Sequence, residues 1–355
     1  MQIIKQPMEI QYKEEIQKLI KNEKEDKPEG WQMSPLSVKK FILGDKKLQI
    51  SKKIYGNDDI VERSIVTLAT DRGLLLTGVP GTAKTMLSEL LTAAICNDSL
   101  NTIQGNIGTN EADLKYSWNY SLLISNGPNK KSMIKSPVLK AMEKGSIVRF
   151  EEITRSPQEV QDMLISIMSD KLIQIPELKE NNTIFAKKGF NIIATANTLD
   201  KGVNEMSSAL KRRFNIEHIK PLNNIKLEQE IVKNQIIKMD EKNKIDENII
   251  EILTTIYNDL RTGITIEGDL IEKPEKNLST AELVNVYHEC MIHAKFFSNS
   301  EIDANIVFDK LINSFDENNE NDIRALNYYF EKTIKLRSST NEIYNKLYKN
   351  MVKIK

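Results

Sequence analysis

The chain has 355 residues, 40% of them hydrophobic, which is enough to bury a sizeable core and to form two domains. Its 50 basic and 50 acidic residues cancel, so net charge excludes a general attraction to nucleic acid or to an anionic membrane surface. The two cysteines, Cys96 and Cys290, form no CxxC pair, which argues against a disulfide framework and fits a cytoplasmic protein. No stretch has the length and apolar character of a bilayer span, so we expect no membrane insertion.

Three regions follow one another along the chain. Residues 1–30 are rich in Glu and Lys and end in the breaker cluster Lys27–Gly30, which predicts a peripheral N-terminal extension. In residues 31–221 short apolar runs alternate with helical patterns, as in a parallel sheet with crossover helices. In residues 222–355 the apolar residues have helical spacing. The predicted fold class is therefore α/β, with a helical domain after the sheet.

A glycine-containing loop lies between a predicted strand and a predicted helix. The apolar run Gly73–Thr77 precedes the loop, and an apolar face with helical spacing follows it. Backbone N–H groups in such a loop hold phosphate oxygens, Lys84 would reach the β and γ phosphates, and the Thr85 hydroxyl would bind Mg²⁺. The predicted cofactors are ATP and Mg²⁺. The candidate nucleotide-binding residues are Gly78, Val79, Pro80, Gly81, Thr82, Ala83, Lys84, Thr85 and Met86.

One residue of this loop departs from the common pattern G-x-x-x-x-G-K-[ST]. Ala83 occupies the position of the second glycine, and alanine tolerates a positive φ poorly. If the position is helical, alanine is harmless there. The alternative, a Gly-Pro turn before an ordinary helix, is disfavoured by the strand before the loop and by Lys84 and Thr85 at its end.

Two adjacent carboxylates follow a second apolar strand. The strand Ser146–Phe150 delivers Glu151 and Glu152 to its carboxyl end, where ligands of open α/β sheets bind. We assign Glu151 to the Mg²⁺ shell, through a metal-bound water, because Glu is one methylene longer than the usual Asp. We assign Glu152 to orienting and deprotonating the attacking water. A pair of solvated acids is the alternative interpretation.

Further polar residues follow later in the chain. The buried-strand pattern Phe190–Asn197 ends in Asn197, which could hydrogen-bond the γ-phosphate or the attacking water. Arg212 and Arg213 form a basic pair, and a guanidinium supplied across a subunit interface stabilises the charge of phosphoryl transfer. Paired arginines are also common on solvated faces. With the two glutamates, these residues complete the candidate catalytic set.

Taken in order, four segments resemble the Walker A, Walker B, sensor 1 and arginine-finger segments of the AAA+ ATPases, specifically the MoxR-like branch. They are Gly78–Thr85 (GVPGTAKT), Ser146–Gln161 (SIVRFEEITRSPQEVQ), Phe190–Asn197 (FNIIATAN) and Ser208–Phe214 (SALKRRF). The resemblance extends over residues 31–293. It includes the segments Gly202–Leu210 and Leu278–Leu283.

This resemblance implies an AAA+ P-loop sheet core with a C-terminal helical lid. It also implies assembly into a homo-oligomeric ring, expected to be a hexamer, with ATP bound between neighbouring subunits. The implied partner is a protein client that is remodelled or activated, and von Willebrand A-domain proteins are such partners in this branch. In the lid, Ala281 lies near where many AAA+ proteins have a sensor 2 arginine, so that arginine is either absent or supplied by Arg261.

The leading hypothesis is a ring ATPase that acts on a protein client by hydrolysing ATP at its subunit interfaces. A nucleic-acid motor or loader on the same fold would use Lys130–Lys131 or Lys187–Lys188 at the ring pore, although the sequence does not indicate nucleic acid. A nucleotide-gated scaffold with little turnover would fit Glu151, Ala83 and the missing sensor 2 arginine. A small-molecule kinase ranks last because no segment resembles a phosphoacceptor pocket.

Overall fold

The computed structural model describes residues 5–180, 182–198, 204–239, 245–298 and 301–351. The chain divides into two compact units. The first comprises Met1–Val79 with Ala83–Lys220, and the second comprises Pro221–Lys355 with the three loop residues Pro80–Thr82. Within the described ranges, no helix combines the length and the apolar character needed to cross a membrane.

A five-stranded parallel sheet forms the centre of the first unit. The strands of the described residues are β1 (Gly73–Gly78), β2 (Thr102–Gln104), β3 (Tyr116–Trp118), β4 (Met133–Lys135), β5 (Ile147–Glu151), β6 (Leu172–Gln174), β7 (Thr183–Phe185), β8 (Asn191–Asn197) and β9 (Phe214–His218). The sheet order is β2-β5-β8-β1-β9, and every neighbouring pair is parallel. Strands buried on both faces read as continuous apolar runs, which is why the sequence revealed β1, β5 and β8.

Helices cover both faces of this sheet. The α-helices described in this unit are α1 (Met8–Gln11), α2 (Lys13–Lys21), α3 (Pro35–Leu43), α4 (Asp58–Leu68), α5 (Lys84–Cys96), α6 (Glu111–Leu114), α7 (Tyr120–Asn126), α8 (Pro137–Lys144), α9 (Gln158–Asp170) and α10 (Ser208–Lys211). Because strand side chains alternate between faces, Leu74 and Leu76 join the core beside α5, whereas Leu75 joins the core beside α9. The predicted α/β architecture of this part of the chain is confirmed.

Two small antiparallel pairs stand apart from the central sheet. Strand β3 pairs with β4, and β6 pairs with β7. Each of these strands is three residues long, which is too short to show a period of two in the sequence. These strands therefore have no recognisable signal in the sequence.

The second unit is helical, as predicted. Its helices are α11 (Ile225–Met239), α12 (Glu247–Thr262), α13 (Thr280–Phe297), α14 (Ala304–Asn313), α15 (Glu320–Tyr329), α16 (Lys335–Arg337) and α17 (Glu342–Asn350), with a π-helical turn at Phe330–Ile334. Side-chain caps mark where several of them begin. Asp246 caps α12, and Ser279 forms a capping box with Glu282 at the start of α13. The core of this unit is rich in buried aromatic side chains, among them Tyr257, Tyr287 and Phe308.

The N-terminal helices belong to the core of the first unit, which differs from the peripheral extension expected for residues 1–30. Met8, Tyr12, Ile16 and Leu19 recur at the spacing of one helix face, and all four side chains are buried. The ammonium group of Lys53, fully buried, forms a 2.6 Å ion pair with Glu15 of α2. Other charged residues of this segment, such as Lys13, Glu14 and Lys18, are exposed to solvent.

We therefore expect Leu19→Ala to lower the free energy of unfolding by about 3 kcal/mol, because Leu19 is 1% exposed and its removal leaves a cavity. Ile20→Ala is the matched control, since Ile20 is 42% exposed and its loss should change stability by about 0.5 kcal/mol or less. Urea unfolding of the wild type and both variants measures the difference. Equal stabilities for the two variants would show that the segment does not pack as described.

Candidate functional site

The loop between β1 and α5 has the backbone of an anion cradle. Strand β1 ends at Gly78 and helix α5 begins at Lys84. Gly81 has φ 77° and Ala83 has φ 64°, so both lie in the left-handed region. Successive N–H groups in such conformations form concave anion-binding turns, and the first turn of α5 adds N–H groups that have no intrahelical partner. The candidate loop thus has the geometry needed to hold phosphate oxygens.

Ala83 does not have the helical backbone that would make alanine harmless at this position of the loop. Its backbone is left-handed instead of helical, and this conformation costs a non-glycine residue about 1–2 kcal/mol. The strain arises because α5 starts one residue later, at Lys84, so Ala83 must turn the chain into the helix. Its side chain is exposed to solvent, so no crowding of the methyl group adds to this backbone strain.

The lysine at the end of the loop lies against the loop itself. Lys84 is 7% exposed, and its ammonium group donates to the carbonyl oxygens of Gly78 at 3.0 Å and Val79 at 2.8 Å. A buried ammonium group is stable only with such acceptors around it. The positive charge is therefore held within the span of the loop, beside its N–H groups.

The carboxylate of Glu151, at the end of β5, is the centre of a buried hydrogen-bond network. Its Oε2 accepts from the Thr85 hydroxyl at 3.0 Å and from the Thr195 hydroxyl at 2.8 Å. Its Oε1 accepts from the Ser88 hydroxyl at 2.7 Å and from Arg149 Nε at 3.1 Å and Nη2 at 2.8 Å. Burial alone would raise the pKa of Glu151, but the charge of Arg149 and these hydrogen bonds outweigh it and lower the pKa below its usual value.

These contacts suit a Mg²⁺ ion better than a softer metal. The Thr85 hydroxyl oxygen and Glu151 Oε2 are 3.0 Å apart at the first turn of α5, and both are hard oxygen donors. The low pKa keeps the carboxylate ionised at neutral pH, as a metal ligand requires. The residues present therefore fit the ion that the sequence predicted.

Glu152 has a strained backbone that turns its side chain out of the core. Its φ is 55°, an uncommon value for a non-glycine residue, and its N–H donates to Thr195 Oγ1 at 3.0 Å. The Glu152 carboxylate is about one third exposed and forms a 3.0 Å ion pair with Nε of Arg155.

The backbone of Gly105 lies close to the two glutamates, and it donates its N–H to the carbonyl oxygen of Glu151 at 2.7 Å. A side chain on Gly105 would meet the Glu152 carbonyl oxygen at 2.4 Å, so the two backbone segments approach as closely as glycine allows.

Asn197 lies at the same edge of the sheet as the loop. It ends β8, and in the parallel register it is paired with Gly78, the last residue of β1. The side chain is half-buried. Parallel strands present their carboxyl ends at one edge, so the sheet itself brings Asn197, Gly78 and the two glutamates together.

The two arginines lie at the opposite end of the sheet. Phe214, which follows them, is paired with Gly73 at the amino end of β1. Gly73 and Gly78 are separated by about 16 Å along the strand, at about 3.3 Å per residue. Arg213 donates to Ser169 Oγ and to the Ala209 carbonyl oxygen, both at 3.1 Å. Arg212 is exposed, and its guanidinium has no hydrogen bond or ion pair with any described residue.

Arg261 does not provide a free guanidinium in the helical unit. Its Nη1 and Nη2 donate to the two carboxylate oxygens of Glu228 at 2.9 and 2.7 Å, and Glu228 is fully buried. Thr280 donates to the same carboxylate at 2.6 Å. Breaking such a buried pair leaves an uncompensated charge, so Arg261 has a structural role in α12. The suggestion that it supplies sensor 2 is therefore not supported.

Four residues of the network were not identified from sequence. Ser88 lies one helical turn after Thr85, and Thr195 lies two residues before Asn197 on the same strand face, so each had a periodic signal. Arg149 is a charged residue inside an otherwise apolar strand, which is itself a signal. Gly105 had none, because its close approach to Glu152 depends on the pairing of β2 with β5. In the MoxR-like segment Gly202–Leu210, residues 202 and 203 lie outside the described ranges.

Comparison with known proteins finds two matching family models. The model described as AAA domain (dynein-related subfamily) matches residues 73–214, and the one described as YehL-like AAA+ ATPase C-terminal domain matches residues 223–354. The chain is 41% identical over 333 residues to the uncharacterized protein YehL of Escherichia coli K12, covering 92% of both chains. It is 27% identical over 227 residues to the uncharacterized protein SERP0979 of Staphylococcus epidermidis RP62A, covering 62% of this chain and 80% of that protein. Among solved structures, NtrX of Brucella abortus in complex with ADP is 13% identical and covers 85% of this chain and 69% of that chain, with a TM-score of 0.49.

The close approach at Gly105 generates a test. We expect Gly105→Ala to lower the free energy of unfolding by about 2 kcal/mol or more, because the added methyl group pushes against the backbone carbonyl of Glu152. Gly108→Ala, in the same loop, is the matched control, since its methyl group meets no backbone atom and only the side-chain oxygen of Asn106, at 3.2 Å. Urea unfolding of both variants provides the measurement, and similar losses for the two would contradict the described packing.

Proposed function

We propose, from the premise that the chain belongs to the YehL family of AAA+ ATPases, that it hydrolyses ATP and uses the energy to remodel or activate a protein client. The observation that carries the proposal is the 3.0 Å contact between the Thr85 hydroxyl and Glu151 Oε2. This contact brings a residue of the first turn of α5 and a strand-end carboxylate together where a metal-bound triphosphate would need both. Glu152 and Asn197 belong to the same edge of the sheet.

Each residue of this edge has a task that follows from its position. The loop N–H groups and Lys84 bind the phosphate oxygens, and Thr85 and Glu151 hold Mg²⁺, Glu151 through a bound water. Bound Mg²⁺ neutralises phosphate charge that develops as the terminal phosphate is transferred. Asn197 orients the attacking water by hydrogen bonding.

Glu152 is the residue that would take the proton of the attacking water. General bases of this kind contribute roughly 10²- to 10⁴-fold to rate. Its carboxylate is paired with Arg155 at 3.0 Å, and it is partly exposed, so it can rotate without breaking a buried network. Glu151 cannot exchange roles with it, because both of its carboxylate oxygens already accept hydrogen bonds from fixed neighbours.

The arginine of the site would come from a second subunit. Arg212 lies two residues before Phe214, which is paired with Gly73, and Gly73 is about 16 Å from the loop end of β1 at a strand rise of about 3.3 Å per residue. It is exposed and has no described partner, whereas Arg213 is held by Ser169. We therefore assign the finger role to Arg212. This requires a homo-oligomeric ring, expected to be a hexamer, with ATP at each subunit interface.

A protein client is favoured over nucleic acid by an exposed apolar segment. Helix α7 has no buried residue, and Tyr120 and Ile124 are 76% and 87% exposed. Apolar side chains presented in this way suit contact with a protein. The lysines of the nucleic-acid alternative, Lys130–Lys131 and Lys187–Lys188, are exposed, but Lys188 is paired with Glu29 at 3.0 Å. A von Willebrand A-domain protein is the class of client that we would test first.

The site assignment predicts different defects for two variants. Glu152→Gln should keep ATP binding and lose about 10²-fold or more of the hydrolysis rate, because it removes the base but no phosphate contact. Lys84→Ala should lose ATP binding itself. Binding of a fluorescent ATP analogue and steady-state phosphate release separate the two. Unchanged turnover in Glu152→Gln would overturn the assignment.

The trans assignment of Arg212 predicts complementation between subunits. Arg212→Ala should bind ATP normally and lose about 10³-fold in hydrolysis, in line with other arginine fingers. Mixing it with Glu152→Gln subunits should restore activity, because an intact Glu152 then meets an intact Arg212 across an interface. Lys211→Ala, which changes the neighbouring exposed cation, is the control and should hydrolyse ATP normally. No recovery on mixing would count against action in trans.

A further inference from the structure

A buried arginine lies inside strand β5, two residues before Glu151. Arg149 is 4% exposed and Glu151 is 5% exposed. Alternate residues of a strand lie on one face, so the two side chains are neighbours along β5. Arginine is almost never fully buried without a partner, and an apolar side chain would satisfy this position of a central strand more simply. The charge at residue 149 therefore calls for a specific reason.

Arg149 contacts one carboxylate oxygen of Glu151 and leaves the other to the loop. Its Nε and Nη2 donate to Oε1 at 3.1 and 2.8 Å, where Ser88 also donates at 2.7 Å. The other oxygen, Oε2, faces the hydroxyl groups of Thr85 and Thr195. The two oxygens of one carboxylate thus have separate surroundings, one directed into the core and one directed at the proposed metal position.

The guanidinium of Arg149 is also held from its far side. Its Nη1 donates to the carbonyl oxygen of Ser99, and its Nη2 is 3.8 Å from Glu89 Oε1. Ser99 is in turn fixed by the N-terminal helix, since Met8 donates its N–H to Ser99 Oγ at 3.2 Å. Ser99 donates its own N–H to Glu9 at 3.1 Å. Anchored on both sides, the guanidinium has little freedom to follow a moving carboxylate.

From this arrangement we infer that Arg149 is a positioning residue for the Mg²⁺ site, which it serves by holding Glu151 Oε1 so that Oε2 alone is presented beside Thr85. The inference rests on the proposed function. It also accounts for glutamate at a position where this class of site usually has aspartate. Glutamate has one more rotatable bond than aspartate, and Arg149 with Ser88 restrains the orientation that this bond would otherwise leave free.

The test compares nucleotide binding with and without the metal. In the wild type, Mg²⁺ should tighten binding of a fluorescent ATP analogue relative to binding in EDTA. Arg149→Met should reduce this Mg²⁺-dependent gain about 10-fold or more, the size of effect seen when outer-shell partners of metal ligands are removed. Its affinity in EDTA, which depends on the loop and Lys84, should stay within about twofold of the wild type. A purely structural role for Arg149 would lower both affinities together.

Matched variants separate positioning from folding. Arg63→Met removes a surface arginine that binds Glu217 with two nitrogens, and it should leave the Mg²⁺-dependent gain unchanged. Arg149→Lys keeps the charge but replaces the planar guanidinium, with its several nitrogen donors, by a single ammonium group, so we expect an intermediate loss. If Arg149→Met does not fold, the Mg²⁺-dependent gain of Arg149→Lys tests the positioning role instead. The double variant Arg149→Met/Glu151→Asp should recover part of the gain, because the shorter carboxylate needs less restraint.

The outcomes distinguish this inference from the function on which it rests. If the wild type binds the analogue more tightly with Mg²⁺ and the folded Arg149 variants do the same to an equal degree, the positioning role is wrong and the proposed ATPase stands. If the wild type itself gains nothing from Mg²⁺, the proposed metal site and the positioning role both fall. If Arg149→Met and Arg149→Lys lose part of the Mg²⁺-dependent gain in affinity but keep the wild-type affinity in EDTA, the inference is supported.

Discussion

A buried carboxylate is the constraint on which the candidate site depends. Glu151 is 5% exposed, and an ionised group at that depth is tolerated only when its oxygens accept hydrogen bonds from well-placed donors. The donors come from three elements: α5 supplies Thr85 and Ser88, β5 supplies Arg149, and β8 supplies Thr195. Because all of them must converge on one group, the network fixes the start of α5 against the sheet. The loop that precedes α5 is fixed with it.

The same edge contains backbone conformations that a chain adopts only when its surroundings enforce them. Ala83 and Glu152 both have positive φ, at a cost of order 1–3 kcal/mol each. Ala83 turns the loop into α5, and Glu152 turns away from the core while the residue before it stays buried. Thr195 links the two glutamates, since its hydroxyl donates to Glu151 and accepts from the N–H of Glu152. The strain thus separates two adjacent carboxylates into a buried one and a partly exposed one.

The parallel sheet also divides the candidate residues into two groups. The carboxyl ends of β1, β5 and β8 gather the loop, the glutamates and Asn197, whereas Arg212 and Arg213 precede β9 at the amino end of β1. No side-chain rotation spans the length of a strand. A role for Arg212 at a phosphate therefore requires another subunit, and this follows from the strand register without any knowledge of the assembly.

The sequence by itself determined the family, the order of the motifs and the fold class. The resemblance to the AAA+ ATPases of the MoxR-like branch is confirmed, as is the α/β core followed by a helical domain. These features are local: apolar runs for β1, β5 and β8, helical spacing after residue 222, and glycine and lysine at set positions between a strand and a helix. Each can be recognised within about twenty residues, because periodicity and turn chemistry act over short distances.

Only the tertiary structure decided how these pieces meet. The contact of Arg149 with the Ser99 carbonyl, the link through Thr195 and the approach of Gly105 to Glu152 join residues of different elements, or depend on which strands are neighbours. The burial of Leu19 and the pairing of Arg261 with Glu228 have the same origin. A sequence pattern shows which face of an element is apolar, but not what covers that face or which buried charge finds which partner. Those choices are made when the sheet order and the register bring distant segments together.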